Sequence, residues 1–306
     1  MSGRGNGREG SGPHGVLNIY KEKGYTSSDV VSVARKILGR VRAGHIGTLD
    51  PQAEGVLPIC VGKATKIADY IGGGKSYRAE LKLGVTTDTD DLTGKILTES
   101  HEGVDLAALE HTVSRFLGET YQIPPMYSAV KAGGKKLYEL ARAGKTVDRA
   151  PRKINISRID IITYNAETGM AIMDVDCSKG TYIRSLCADI GRVTRLGGCM
   201  GSLIRTRSGP FDISASVTLG RLREYAAGSM LNEILIPIEA VLSYKTIEAP
   251  PHLGKLVTNG NPIRVCEGES DAREGDLIFL SLGGKTAGVY ERVGEFFKPR
   301  VMLTGE

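Results

Sequence analysis

Residues 76–83 alternate without a break: Tyr77, Ala79, Leu81 and Leu83 fall on one side, and Arg78, Glu80 and Lys82 on the other. A two-residue period suits an extended strand whose successive side chains point to opposite faces. Such a strand needs hydrogen-bonded neighbours and a covering layer for its apolar side, so the chain must contain a sheet with one packed face. Residues 16–20, 153–164, 170–177 and 202–208 read as further strands. Residues 55–61 are short and continuously apolar, which predicts a strand buried on both faces.

Helices are expected between these strands. Val30, Val31, Val33, Ala34, Ile37 and Leu38 follow one helical face, with Ser27 and Ser28 placed to cap it. Residues 64–71, 106–117, 135–143, 181–196, 219–227 and 232–241 also read as helical. No strict βαβα rhythm connects these elements. The expected fold class is therefore α+β, a mixed, mainly antiparallel sheet with flanking helices. After Pro250 short β-like runs alternate with Gly-rich turns. The division expected is a disordered, Gly-rich tail over residues 1–14, a main domain over 15–244 and a small C-terminal β-barrel over 245–306.

Several function classes are excluded early. No run approaches the roughly 20 apolar residues that cross a bilayer, so no membrane partner is expected. The five cysteines, Cys60, Cys177, Cys187, Cys199 and Cys266, are odd in number, widely spaced and form no C-x-x-C pair. That pattern argues against a disulfide framework and a zinc site and fits reduced thiols in the cytoplasm. The net charge is +5, but it is segregated. Residues 21–45 carry +4, residues 131–153 carry +6 and residues 179–209 carry +5, leaving the rest of the chain near −10. Such segregation favours a polyanionic partner.

The chemistry is concentrated in Gly44-His45-Ile46-Gly47-Thr48-Leu49-Asp50-Pro51, followed by Gly55-Val56-Leu57-Pro58. An Asp-Pro pair by itself marks a turn. Here glycines flank it, allowing close approach of a backbone or a ligand. This run, with Gly62-x-Ala64-Thr65-Lys66, resembles the signature of TruB-type pseudouridine synthases. Four further segments match in order: Lys75-Ser76-Tyr77-Arg78-Ala79, the stretch from Pro124 to Lys131 with Gly134 to Glu139, Ser178 to Leu186, and Ser202 to Ser208. The resemblance spans about three quarters of the chain. Beyond residue 245 the sequence resembles, more weakly, a PUA-like RNA-binding barrel. Glu22 stands where the family often has proline, and Ile46 where it often has threonine; both bear on loop stiffness.

The resemblance implies isomerisation of uridine 55 in the T loop of tRNA, with no cofactor and no metal. The chain would act as a monomer in the cytoplasm, on the T stem-loop and not on DNA. Asp50 would be the catalytic carboxylate, as nucleophile or as electrostatic stabiliser of the sugar. Arg184 would keep it charged and aimed. Tyr77 would stack on the extruded base, with Leu203 as the opposite apolar wall and Tyr182 in the substrate site. His45 would fill the vacated stack. Lys21, Lys131, Lys135, Lys136, Arg205 and Arg207 would contact phosphates. On the residues alone, Leu203 reads equally well as a core leucine, and the commoner readings are a core side chain for Tyr77, a surface arginine for Arg184 and a structural histidine for His45. Three other readings stay open: a guide-RNA-dependent ribosomal RNA synthase of the same superfamily, an RNA chaperone that binds and refolds tRNA, and a nucleosidase-like hydrolase. The last wants two carboxylates in the site, and no second acid is evident beside Asp50.

Overall fold

The computed structural model describes residues 12–128, 130–132, 134–145, 147–264 and 271–304. The main sheet is built from β1 (Gly15–Lys21), β2 (Ala43–His45), β3 (Glu54–Val61), β4 (Lys75–Leu83), β5 (Gly118–Gln122), β6 (Arg152–Asn165), β7 (Met170–Cys177), β8 (Gly198–Ser208) and β9 (Leu235–Ile236). Its order is β9-β1-β3-β8-β4-β7-β6-β5, with β2 added beside β3 and Phe211–Asp212 beside β8. Every pairing is antiparallel except that of β3 with β8, where Ile204 lies opposite Glu54 and Arg205 opposite Gly55. This is the mixed, mainly antiparallel sheet that the sequence predicts.

The residue pattern explains the layering. On β4 the apolar set packs into the larger core cluster with β7, β8 and the helices α1 (Ser27–Ile37), α2 (Leu106–Ser114), α3 (Ile183–Thr194) and α4 (Leu219–Ala227). Its polar side pairs outward, Arg78 with Asp174 of β7 at 2.8 Å. β1 and β3 differ: Leu17, Ile19, Leu57 and Ile59 face the helices, while Val16, Val56 and Cys60 join a second cluster on the other face. Burial on both faces is why residues 55–61 show no alternation.

Five further strands form the C-terminal sheet: β10 (Lys245–Glu248), β11 (Ile263–Arg264), β12 (Leu277–Leu282), β13 (Lys285–Val293) and β14 (Phe296–Met302), in the order β10-β12-β13-β14-β11. Phe279, Val289, Val301 and Leu303 of this region share the second cluster with Val16, Val56 and Phe211. Tyr244 packs its ring 5.5 Å from that of Phe279. The two sheets are therefore joined by apolar packing and not by a linker alone.

Several local expectations need correction. Residues 62–70 wind as a 3-10 helix. Residues 231–242 break into a 3-10 turn, β9 and a short helix, because Pro237 removes an amide in mid-segment. Lys135–Lys136 pairs with Lys131–Ala132 as a hairpin, and the helix there begins only at Leu137. The cap of α1 is Thr26, not a serine. Its hydroxyl accepts from the Asp29 amide at 3.0 Å, while the Asp29 carboxylate accepts from the Thr26 amide at 2.9 Å. Residues 1–11 of the expected tail lie outside the described residues. Among the described residues no helix is long and apolar enough to cross a membrane.

Candidate active site

The loop between β2 and β3 carries Asp50. It is fixed from three directions. Ser27, freed from capping, sends its hydroxyl to the Leu49 carbonyl at 3.1 Å and accepts from the Leu49 amide at 3.0 Å. Lys21 donates to the carbonyls of Pro51 at 3.1 Å and Glu22 at 3.2 Å. Arg205 donates to the carbonyls of Val56 at 2.7 Å and Thr48 at 3.3 Å. At the end of the loop, β3 can lie this close to β8 only because residue 55 is glycine: a Cβ there would stand 2.3 Å from the Arg205 carbonyl, and φ is +104°.

Arg184 comes from the first turn of α3. A cation at a helix N-terminus opposes the macrodipole, and this one is nearly excluded from solvent, with its side chain 6 % exposed. It is held by acceptors from three separate segments. Its guanidinium meets the Asp50 carboxylate at 2.9 Å and donates to the carbonyls of Tyr127 at 2.6 Å and Thr89 at 3.3 Å. A second acid shares it: Asp91 approaches at 3.9 Å. The sequence reading saw no second acid near the site. The Thr86–Thr93 loop supplies one because its turn is anchored to β8, the Leu92 amide donating to the Met200 carbonyl and the Met200 amide to the Asp90 carbonyl, both at 2.9 Å. Asp91 also orders that loop, accepting from the Thr93 amide at 3.0 Å and the Thr89 hydroxyl at 2.9 Å.

The start of α3 is set by a side chain no motif flagged. Gln122 of β5 donates to the Tyr182 carbonyl at 3.0 Å and accepts from the Tyr182 amide at 2.8 Å. This pair pins the residue ahead of α3 to β5, while α3 itself carries no side-chain cap.

A cavity of about 190 Å³ opens over the Asp50–Arg184 pair, and Tyr77, Tyr182, Leu203 and Lys75 line it. Five of the expected site residues thus meet: Asp50, Arg184, Tyr77, Tyr182 and Leu203. Tyr77 faces Arg205 across the β4–β8 pairing. Burial pushes its phenol up to about 12, with the Arg205 guanidinium pulling the other way. Asp50 keeps 41 % of its side chain open to solvent. His45 sits at the end of β2, its Nδ1 3.1 Å from the Gly47 carbonyl oxygen, and does not line the cavity. Burial lowers its pKa, so its ring is neutral at neutral pH.

Two expected phosphate contacts are overturned. Lys21 and Arg205 are both 0 % exposed, so neither presents charge to a surface-bound RNA. Each instead braces the loop that bears Asp50. Arg207 remains partly exposed, donating to Ser76 Oγ at 3.1 Å, and Lys135 is exposed. The side chains of Lys131 and Lys136 lie outside the described residues. Among the described residues no group of three or more His, Cys, Asp or Glu side chains is placed to hold a metal ion.

A model of the TruB family pseudouridylate synthase N-terminal domain matches residues 35–183, and one of the tRNA pseudouridylate synthase B C-terminal domain matches residues 184–243. The chain belongs to the TruB family. It is 48% identical over 253 residues to a tRNA pseudouridine synthase B of Alkaliphilus oremlandii, covering 82% of this chain and 83% of that relative. It is 42% identical over 288 residues to one from Clostridium tetani, covering 93% and 98%. Among solved structures, a Cbf5-Nop10-Gar1 complex superposes with a TM-score of 0.72 at 26% identity, over 94% of this chain and 84% of that one. An H/ACA RNP bound to a substrate RNA containing 2′-deoxyuridine gives 0.71 at 23%, over 95% and 86%. The second of these bears on the fold alone.

Proposed function

We propose that the protein isomerises uridine to pseudouridine at position 55 in the T loop of tRNA, with Asp50 as the catalytic carboxylate. The observation that carries this reading is the 2.9 Å pairing of Asp50 with a buried Arg184 at the floor of a cavity walled by Tyr77 and Leu203. The reaction breaks the N1–C1′ bond, turns the base and joins C5 to C1′. C5 loses a proton and N1 gains one, so the balance calls for no cofactor. A carboxylate serves it by attacking, or by stabilising a cationic sugar. Arg184 orients Asp50 without taking part in bond making.

The Tyr77 ring stacks on the extruded uracil, an interaction worth about 1–3 kcal/mol per base. With its pKa pushed up to about 12, the phenol stays protonated at neutral pH and acts as a platform and a donor, not as a free base. Leu203 closes the other side, and Tyr182 borders the entrance to α3. His45, neutral and on the Gly-rich loop, occupies the space the base vacates. Lys131, Lys135, Lys136 and Arg207 contact the phosphates. The C-terminal five-stranded sheet, read as a PUA-like unit over residues 245–306, adds RNA contact. The enzyme works as a monomer in the cytoplasm.

The test is conversion of an unmodified tRNA transcript, located by carbodiimide labelling and primer extension. Asp50→Asn should abolish conversion and leave tRNA affinity within a few fold. Turnover by that variant would remove Asp50 from the mechanism. The likeness to the Cbf5 complex motivates one alternative, a subunit that needs a guide RNA. The tRNA-named relatives at 42% to 48% identity favour the stand-alone reading. Activity of the purified protein on a bare T stem-loop decides between them.

A further inference from the structure

Lys75 stands in the cavity without a partner of its own. It is two residues before Tyr77 on β4, so both side chains leave the same face of the strand. Its ammonium lies beneath the Gly-rich loop, where a Cβ on Gly47 would be 3.2 Å from Nζ and 3.4 Å from an Arg205 guanidinium nitrogen. It lines the same cavity as Asp50 and Tyr77. Among the described residues no carboxylate pairs with it and no acceptor receives its protons. Ser128 lines the cavity as well, and its buried hydroxyl also has no partner among the described residues. Buried donors are rarely left unsatisfied in a folded protein. The Ser128 hydroxyl is one such donor, and the Lys75 ammonium, partly exposed at the cavity wall, is a free donor beside it; with the aromatic platform they fit a flat ligand that brings its own acceptors.

A uracil ring carries two such acceptors, O2 and O4. When the N1–C1′ bond breaks, its electron pair leaves with the base and the charge spreads to those oxygens. If Asp50 instead adds to the ring, the pair displaced from the C5–C6 bond reaches O4. Either route builds negative charge where a fixed cation is most effective. We propose that Lys75 is a substrate-contacting residue whose ammonium donates to a carbonyl oxygen of the bound uracil and stabilises the negative charge that the base carries while it is detached or activated. The proton stays on Lys75 throughout, and the C5 proton is handled elsewhere. This inference rests on reading the site as a uridine isomerase. Burial and the neighbouring Arg205 lower the lysine pKa to about 8, which makes it a stronger hydrogen-bond donor than a solvated ammonium.

The test is a cycle between Lys75→Met and substrates in which sulfur, a weak acceptor, replaces O2 or O4 of the target uridine. Lys75→Met should slow single-turnover conversion about a hundredfold, the order expected for one preorganised donor, with tRNA affinity changed less than threefold. Sulfur at the contacted oxygen should change the wild-type rate and leave the variant's rate unaltered. Lys75→Gln carries the same comparison if the methionine variant does not fold. A variant rate within twofold of wild type, or sulfur effects retained in full in both variants, would overturn the role of Lys75. Wild-type protein that makes no pseudouridine would instead overturn the reading of the site.

Discussion

Ser27 and Leu49 exchange two hydrogen bonds, one in each direction, at 3.1 Å and 3.0 Å. The first residue of α1 thereby fixes the backbone immediately ahead of Asp50, the carboxylate proposed above as catalytic. Ser27→Ala would leave a buried amide and a carbonyl unmatched, at a cost of about 1–3 kcal/mol. The expected outcome is a lower melting temperature together with slower single-turnover conversion, while tRNA affinity holds. Thermal denaturation and stopped-time assays on one preparation check both.

Arg184 collects acceptors from three chain segments, and its planar fork suits that better than a single ammonium would. Arg184→Lys should lose at least one of the Asp50, Tyr127 and Thr89 contacts and slow conversion by about a hundredfold or more. Asp91→Asn keeps the shape of the loop but removes one charge facing the guanidinium. A loss of about tenfold is expected, with little change in affinity. An Asp91→Asn variant as inactive as Asp50→Asn would make Asp91 a direct participant.

The mixed sheet and the half-buried β4 were legible because the two-residue period marks strands, and the burial of β3 on both faces was legible because residues 55–61 are continuously apolar; the order of the strands was not, since no local pattern encodes which strands pair. The Asp50–Arg184 meeting was legible only through the resemblance, since nothing local links residues so far apart. Asp91 was missed because its loop reads as a solvated acidic turn until it bridges to Met200 of β8. Gln122 gave no signal at all, as one amide in an extended stretch. Lys21 and Arg205 misled for a physical reason: a basic run says nothing about which members point inward, and these two each give a donor to a carbonyl of the loop bearing Asp50, Pro51 and Thr48 respectively.

Lys75 predicts a pH signature. Its pKa in the folded protein, about 8, lies below that of a solvated lysine, so the cation is present below about 8 and is lost above it. The groups facing it are Arg205, the Cys177 thiol, Tyr77 and Asp50. Burial pushes Cys177 up to about 11 and Tyr77 up to about 12, so neither titrates in the same window. Single-turnover rate should fall as pH rises through 8 in the wild type and less so in Lys75→Arg, which stays charged. The comparison is needed because Lys21 also titrates at about 8.

The same depression has a stability consequence with a definite sign. A lysine that binds its proton less well when folded contributes stability above its unfolded pKa, and that contribution is lost as pH falls through about 8. Lys75→Met should therefore melt higher than the wild type at neutral pH. The gain should shrink as pH rises toward the ordinary lysine value of about 10.4. Melting curves across that range check it.

Removing the C-terminal sheet should damage the rest of the protein. A chain ending at residue 244 would uncover the apolar cluster that Phe279, Val289, Val301 and Leu303 complete. Aggregation or a clearly reduced melting temperature is expected, and light scattering with calorimetry would register either.

The two members of the central ion pair live in different surroundings: the guanidinium is all but sealed, whereas the carboxylate stays 41 % open. Water therefore bathes the acid until a nucleotide seats above it. Under the proposed function, drying of that carboxylate is left to the RNA, and an oligonucleotide that docks without inserting a base would leave Asp50 hydrated and idle. Selectivity then need not come from reading many letters of sequence, because only a loop able to deliver a flipped pyrimidine switches the chemistry on.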